Sequence, residues 1–161
     1  MRIRFSMPLA IFIIMVFSAC QPSTETMESP SITSGFDSLK ALEYGADDYG
    51  MRKYVVAFLK SGPNRDLSPE KAKELQVAHM KNIRAMADAG KLVLAGPFYD
   101  DGELRGLYFF DVENLEEAKA LTNSDPAIQA GSLVMELKEW YGSAALMAVG
   151  DIHKNISKIK F

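Results

Sequence analysis

Between residues 54 and 140 short apolar runs alternate with stretches whose apolar residues recur at steps of three and four, in the order strand, helix, strand, strand, helix, strand. Few folds accommodate that order. Residues 54–59 (YVVAFL) are β-branched and aromatic, and Ser61-Gly62-Pro63-Asn64 ends the strand. Ser68-Pro69-Glu70 opens a helix, with Ser as N-cap, Pro in the first turn and an acid near the positive helix end. Ala72, Leu75, His79, Ile83 and Met86 recur at steps of three and four, so they share one face, and Gly90 closes the helix. Residues 92–95 form a second strand stopped by Gly96-Pro97. Residues 99–102 read as a hairpin turn, in which Asp101-Gly102 would supply positive φ angles. Residues 106–110 make the third strand. Asn114, with Glu117 three residues on, opens a second helix carrying Leu115, Ala118, Leu121 and Thr122 inward. Asp125-Pro126 starts a short turn closed by Gly131, and Leu133, Met135 and Leu137 share one face of a last strand over residues 133–140. The order β-α-β-β-α-β, with helical crossovers and a central hairpin, predicts an α+β, ferredoxin-like sheet.

Two helices cover one face of a four-stranded sheet. Yet the strands are apolar on both faces: Val55 and Val56, Leu92 and Val93, Tyr108 and Phe109. A face open to water should alternate apolar with polar. The second face therefore needs a cover. Either a second copy supplies it, as a two-fold homodimer, or the apolar stretch 144–149 folds underneath.

The N-terminus addresses location. Arg2 and Arg4 precede an uncharged apolar run over residues 5–19, and small Ser18 and Ala19 stand before Cys20, the one cysteine of the chain. A basic start, an apolar middle and small residues at a cleavage point make an export signal. With the cut just before a cysteine, the pattern resembles the lipobox of bacterial lipoproteins. That resemblance implies lipidation of Cys20, a mature chain starting there, and a membrane partner reached through acyl chains. The alternatives are an ordinary signal peptide with a chance cysteine, or a membrane span, for which the run is shorter than the roughly 20 residues required. Gln21 is not the aspartate associated with inner-membrane retention, so the periplasmic side of an outer membrane is the expected address in the cell envelope. Residues 21–35 (QPSTETMESPSITSG) hold too little apolar surface to fold. The expected organisation is a signal peptide over 1–19, an anchored tether over 20–50, with a short helix possible after Phe36, a domain over 51–142 and a tail over 143–161.

Charge and cysteine count exclude several functions. The chain has 18 bases and 21 acids; loss of Arg2 and Arg4 leaves 16 against 21. An acidic chain argues against nucleic acid as partner. A lone cysteine excludes an intrachain disulfide and a multi-cysteine metal site. No glycine-rich phosphate loop and no paired-histidine motif occurs, so neither cofactor nor metal is expected. Asp100, Asp101 and Glu103 lack the spacing of a calcium loop, and Asp47-Asp48 reads as a solvated turn.

His79 is the odd member of its helical stripe. A buried imidazole needs a partner, which for a core histidine is a backbone carbonyl. Asp125 is the candidate side-chain partner, although Asp before Pro also serves as a plain helix cap. If the carboxylate holds one ring nitrogen, it fixes the tautomer and leaves the other nitrogen as a general base or acid. Ser124 and Ser132 lack an elbow motif around a nucleophile. His153 sits in a lysine-bearing tail without a partner motif.

Tyr54-Val55-Val56 with Gly62-Pro63, His79, Leu94-Ala95-Gly96-Pro97-Phe98, Asp101-Gly102, Gly106-Leu107, Glu116-Glu117-Ala118, Asp125-Pro126-Ala127 with Ala130-Gly131, and Trp140 stand in an order and spacing that resembles the YCII-related family. The match runs over roughly residues 53–141. The resemblance implies a dimeric α+β barrel and an active site built on a histidine–aspartate dyad, carried here by His79 and Asp125. It implies no particular reaction. Proton transfer on a small organic ligand, of isomerase or lyase type, is the economical expectation, with Phe58, Phe98, Tyr108 and Phe110 as an aromatic lining. A non-catalytic ligand-binding module and a structural dimer are the rival readings.

Overall fold

The computed structural model describes residues 35–159. Cys20, the expected signal peptide over 1–19 and the expected tether up to residue 34 lie outside the described residues. The compact unit begins at Phe36. Its elements are α1 (Ser38–Glu43), β1 (Met51–Ser61), α2 (Pro69–Asp88), β2 (Leu92–Pro97), β3 (Leu104–Phe110), α3 (Leu115–Asn123), α4 (Pro126–Gln129), β4 (Leu133–Ser143), a 3₁₀ turn (Ala144–Ala148) and α5 (Val149–Ile156). The four strands form one antiparallel sheet in the order β2-β3-β1-β4. This is the expected α+β, ferredoxin-like arrangement.

The caps form where side-chain chemistry places them. The Ser68 hydroxyl accepts from the Lys71 N–H at 3.3 Å, and the Asn114 carbonyl oxygen accepts from the Glu117 N–H at 2.9 Å. Glu117 reaches back to the Glu113 N–H rather than to that of Asn114, a capping box displaced by one residue. Gly90 closes α2 at φ +71.

Period-two alternation sorts the sheet residues. Val55, Ala57 and Leu59 of β1, Tyr108 and Phe110 of β3, and Leu92 of β2 meet Met86 of α2 and Ala118 of α3 in the core. Leu133, Met135 and Leu137 of β4 pack against its edge. β1 and β4 are each 11 residues long, longer than their apolar cores, because they pair in unbroken register from Met51↔Ser143 to Ser61↔Leu133.

The β2–β3 connection differs from the expected turn. Gly102 does not have a positive φ. Six residues separate the strands, too many for a two-residue turn, and the Asp100 carboxylate organises them by accepting from the Gly102 N–H at 2.8 Å. Arg105 donates to the Asp100 and Gly102 carbonyls from the other side.

On the face away from α2 and α3, Trp140 lies across Gly142, where a Cβ would meet its ring at 1.9 Å. It stands edge-on to Phe109 at 5.3 Å and tilted against Tyr54 at 5.9 Å. The chain then turns back. Tyr54 donates to the Ser143 carbonyl, the Ala144 N–H donates to the Gly50 carbonyl, and the 3₁₀ turn packs on β1 and β2. Tyr54 is completely buried beneath this corner. Further along the same face, Leu94, Gly96, Pro97, Phe98, Leu107 and Phe109 line an open apolar concavity of about 230 Å³. The 3₁₀ turn and α5 thus reach across to β2, while this concavity stays open.

At the start of β1, Arg52 ties α1 to the sheet. Its guanidinium donates to the Tyr44 carbonyl at 2.8 Å, pairs with Asp111 and lies over the Tyr54 ring.

Candidate functional site

Three elements converge on one imidazole. α2 presents His79 from its inner stripe, 8% exposed. Asp125, fully buried, caps α4, its Oδ1 accepting from the Ala127 N–H at 2.8 Å. The same carboxylate faces His79 Nδ1, with Oδ2 at 2.7 Å and Oδ1 at 3.0 Å. An ionised carboxylate only accepts, so Nδ1 carries the proton and donates. In the neutral ring Nε2 is then the acceptor, and Tyr108 of β3 occupies it: its hydroxyl donates across 3.3 Å. The two rings lie 6.5 Å apart and 23° from parallel. The result is a buried line of carboxylate, imidazole and phenol.

Both alternatives for Asp125 are realised at once: it caps α4 and it holds His79. Fixing Nδ1–H directs the basic lone pair of the ring towards Tyr108.

Tyr108 was read from the sequence as strand and lining, not as a partner of His79. The available signal was a phenol among Leu and Phe on a helix-facing strand position, since a buried tyrosine hydroxyl seeks a partner. The rest of the expected lining separates. Phe110 shares the Tyr108 face and meets it edge-on at 5.8 Å. Phe58 follows Ala57 on β1, so the pleat turns it to the opposite face. Phe98 lines the open concavity on that far face. Neither can line a pocket at His79.

Ser124 stays clear of the imidazole; its hydroxyl donates to the Leu121 carbonyl at 2.7 Å and to Asn82 Oδ1 at 3.2 Å. Asp47 is a turn organiser, accepting from the Tyr49 and Met51 N–H groups and from the Tyr141 hydroxyl. His153 is exposed on α5. Among the described residues no group of three or more His, Cys, Asp or Glu is placed to hold a metal ion, and no helix is long and apolar enough to cross a membrane.

The YCII-related domain model matches residues 54–141, more than half of the chain. The chain belongs to the YCII-related family. This YCII domain is similar to the uncharacterized protein YjpA of Bacillus subtilis (strain 168), 32% identical over 72 residues that cover 44% of this chain and 82% of the relative. Among solved structures it is similar to 5-chloro-2-hydroxyhydroquinone dehydrochlorinase from Burkholderia phenoliruptrix AC1100, in complex with 2,5-dihydroxybenzoquinone. That likeness is 16% identity at a TM-score of 0.42, over 55% of this chain and 93% of the other.

Burial, and secondarily the negative charge of Asp125, push the Tyr108 hydroxyl well above the usual tyrosine range. The phenol therefore stays a donor throughout neutral and mildly alkaline conditions. The linked stability has a definite sign. Below the unfolded value near 10 the contribution is fully present, and it is lost as pH climbs from there towards the folded value. The parent is expected to lose about 1.4 kcal/mol per pH unit more than Tyr108→Phe over that window. Urea midpoints of the two proteins at pH 9 and above 10 check this.

Proposed function

We propose that this YCII domain is an exported, lipid-anchored envelope protein that moves a proton on a small organic molecule, in isomerase or lyase chemistry, working as a homodimer. The supporting observation is the buried line Asp125–His79–Tyr108. A helix cap needs only an exposed acid, and a core histidine needs only a backbone carbonyl. Burying a carboxylate under an imidazole, with a phenol beyond, costs desolvation that neither role requires.

In this reading a substrate with an acidic C–H beside a carbonyl displaces the Tyr108 hydroxyl from Nε2. Nε2 takes the proton, and the C–H electron pair moves to the carbonyl oxygen, giving an enolate. Asp125 stabilises the imidazolium, and the freed Tyr108 hydroxyl donates to the enolate oxygen. Return of the proton at another carbon completes an isomerisation; expulsion of a β-leaving group completes an elimination.

The homodimer rests on the concavity at Leu94, Leu107 and Phe109, which the chain's own tail leaves open. Light scattering that gives a monomer's mass removes this part. The anchor rests on the segment ending at Cys20; an unmodified Cys20 peptide from the membrane fraction removes that part.

A second reading has its own observation. Neither described cavity is lined by His79 or Asp125. A non-catalytic ligand-binding or structural module is consistent with that closure. Deuterium exchange into a panel of enolisable ketones and hydroxyquinones separates the readings. Exchange catalysed by the parent and reduced about 100-fold or more in His79→Gln is the expected result. A parent no faster than that variant across the panel, both folded by circular dichroism, gives the non-catalytic reading.

A further inference from the structure

The larger of the two described cavities, about 460 Å³, lies between α3, α4 and β4, and none of Asp125, His79 and Tyr108 lines it. Its apolar wall is Ile128 of α4 with Leu133, Met135 and Leu137 of β4. Three polar side chains of α3 also line it, Lys119, Thr122 and Asn123, of which Lys119 and Asn123 lie one helical turn apart and hence on one side of the helix. No acidic residue lines it.

Two of these three groups, Lys119 and Asn123, are unspent. Ten ion pairs are formed among the described residues, and the Lys119 ammonium is in none of them, nor in a hydrogen bond with a described residue. The Asn123 carboxamide likewise bonds no described residue; only its backbone carbonyl is used, by Gln129. The Thr122 hydroxyl between them is committed to the Lys119 carbonyl at 3.0 Å. An unpaired cation and a free amide donor thus border an apolar hollow of ordinary ligand size.

We infer that this cavity is a binding site for a small organic monoanion with an apolar body, an aromatic or branched aliphatic carboxylate. Lys119 and Asn123 hold the carboxylate by N–H donation, and Ile128, Leu133, Met135 and Leu137 take the apolar body. The single cation fits one negative charge, and the apolar wall disfavours a strongly hydrated phosphate. The inference does not depend on proton transfer at His79, since the two sites share no residue. They share α4, whose cap is Asp125 and whose Ile128 forms part of the cavity wall.

Methyl and amide NMR of the full chain tests it, using benzoate, cyclohexanecarboxylate and 3-methylbutanoate, with benzyl alcohol as the neutral match for benzoate. The expected result is saturable shifts at Ile128, Met135, Leu137 and Asn123 for at least one acid. Benzoate binds about fivefold tighter than benzyl alcohol, and Lys119→Gln removes that preference. Lys119 is exposed, so the variant keeps the parent spectrum elsewhere. No saturation with any acid at millimolar concentration overturns the inference. So do shifts confined to Leu94, Leu107 and Phe109, or a benzoate preference that survives Lys119→Gln.

Discussion

Asp125→Asn is expected to reverse the tautomer of His79 while leaving the domain folded. The asparagine carbonyl can still accept from the Ala127 N–H, so α4 keeps its cap. The other arm changes from acceptor to donor. An amide N–H then faces Nδ1, which must accept, and the ring proton moves to Nε2. There it meets the Tyr108 hydroxyl, which must turn from donor to acceptor. The ring loses its basic nitrogen at the one position a substrate could reach by displacing Tyr108. If proton transfer is the activity, turnover falls by about 100-fold or more, because the base points the wrong way. Long-range proton–nitrogen NMR reads the tautomer directly, with exposed His153 as the internal reference. Asp125→Ala removes the cap and the Nδ1–H acceptor together, and is expected to cost about 3 kcal/mol in urea unfolding. An unchanged His79 spectrum in Asp125→Asn would mean that the carboxylate does not set the ring, and the dyad would lose its chemical meaning.

The pair was legible in the sequence because each partner carries a local signal. His79 interrupts an apolar stripe of strict helical spacing, and Asp125 precedes a proline at a helix start. The element order was legible for a similar reason: Ser68, Asn114 and Asp125 mark helix starts, and the strands are short apolar runs bounded by turn residues. Tyr108 was not, because its role depends on register. β3 pairs with β1 so that Tyr108 stands opposite Ala57, a small residue on the central strand, and no local pattern in either strand announces that pairing. The same limit applies to the strand ends. Arg52 and Lys60 fall outside the strand expected over 54–59, yet both lie in β1, their charges answered by Asp111 and Glu136 from neighbouring chain segments. Lys60 and Lys138 together hold the Glu136 carboxyl down to about 2. The cavity between α3, α4 and β4 is a property of packing, and Lys119 reads locally as one more solvated helix charge.

Gly62→Ala is the backbone counterpart of the Asp125 result, and its expected cost is about 3 kcal/mol. Gly62 directly follows β1, where its N–H donates to the Ser132 carbonyl at 2.9 Å, and the Asn64 N–H donates to the Gly131 carbonyl at 3.0 Å. The two chain segments approach so closely that a Cβ on Gly62 would stand 2.2 Å from the Gly131 oxygen and 2.8 Å from the Gly131 and Ser132 carbonyl carbons. All three atoms are backbone, so no rotamer change relieves the clash. Gly62 does not have a positive φ, so the demand is for space and not for conformational freedom. Two other glycines separate these causes. Gly90 has open space but φ +71, and Gly90→Ala is expected to cost about 1 kcal/mol from backbone strain alone. Gly96 has neither constraint, and Gly96→Ala should fall within about 0.5 kcal/mol of the parent. The order Gly62, Gly90, Gly96 in urea midpoints checks the assignment. Because Gly131 directly follows the turn that Asp125 caps, the clash at Gly62 also bears on the carboxylate. The His79 ring signals should therefore move in Gly62→Ala and stay in place in Gly96→Ala. A Gly62→Ala protein as stable as the parent would mean that the junction between β1 and the α4–β4 link yields freely, and the precise seating of Asp125 against His79 could not then be attributed to it.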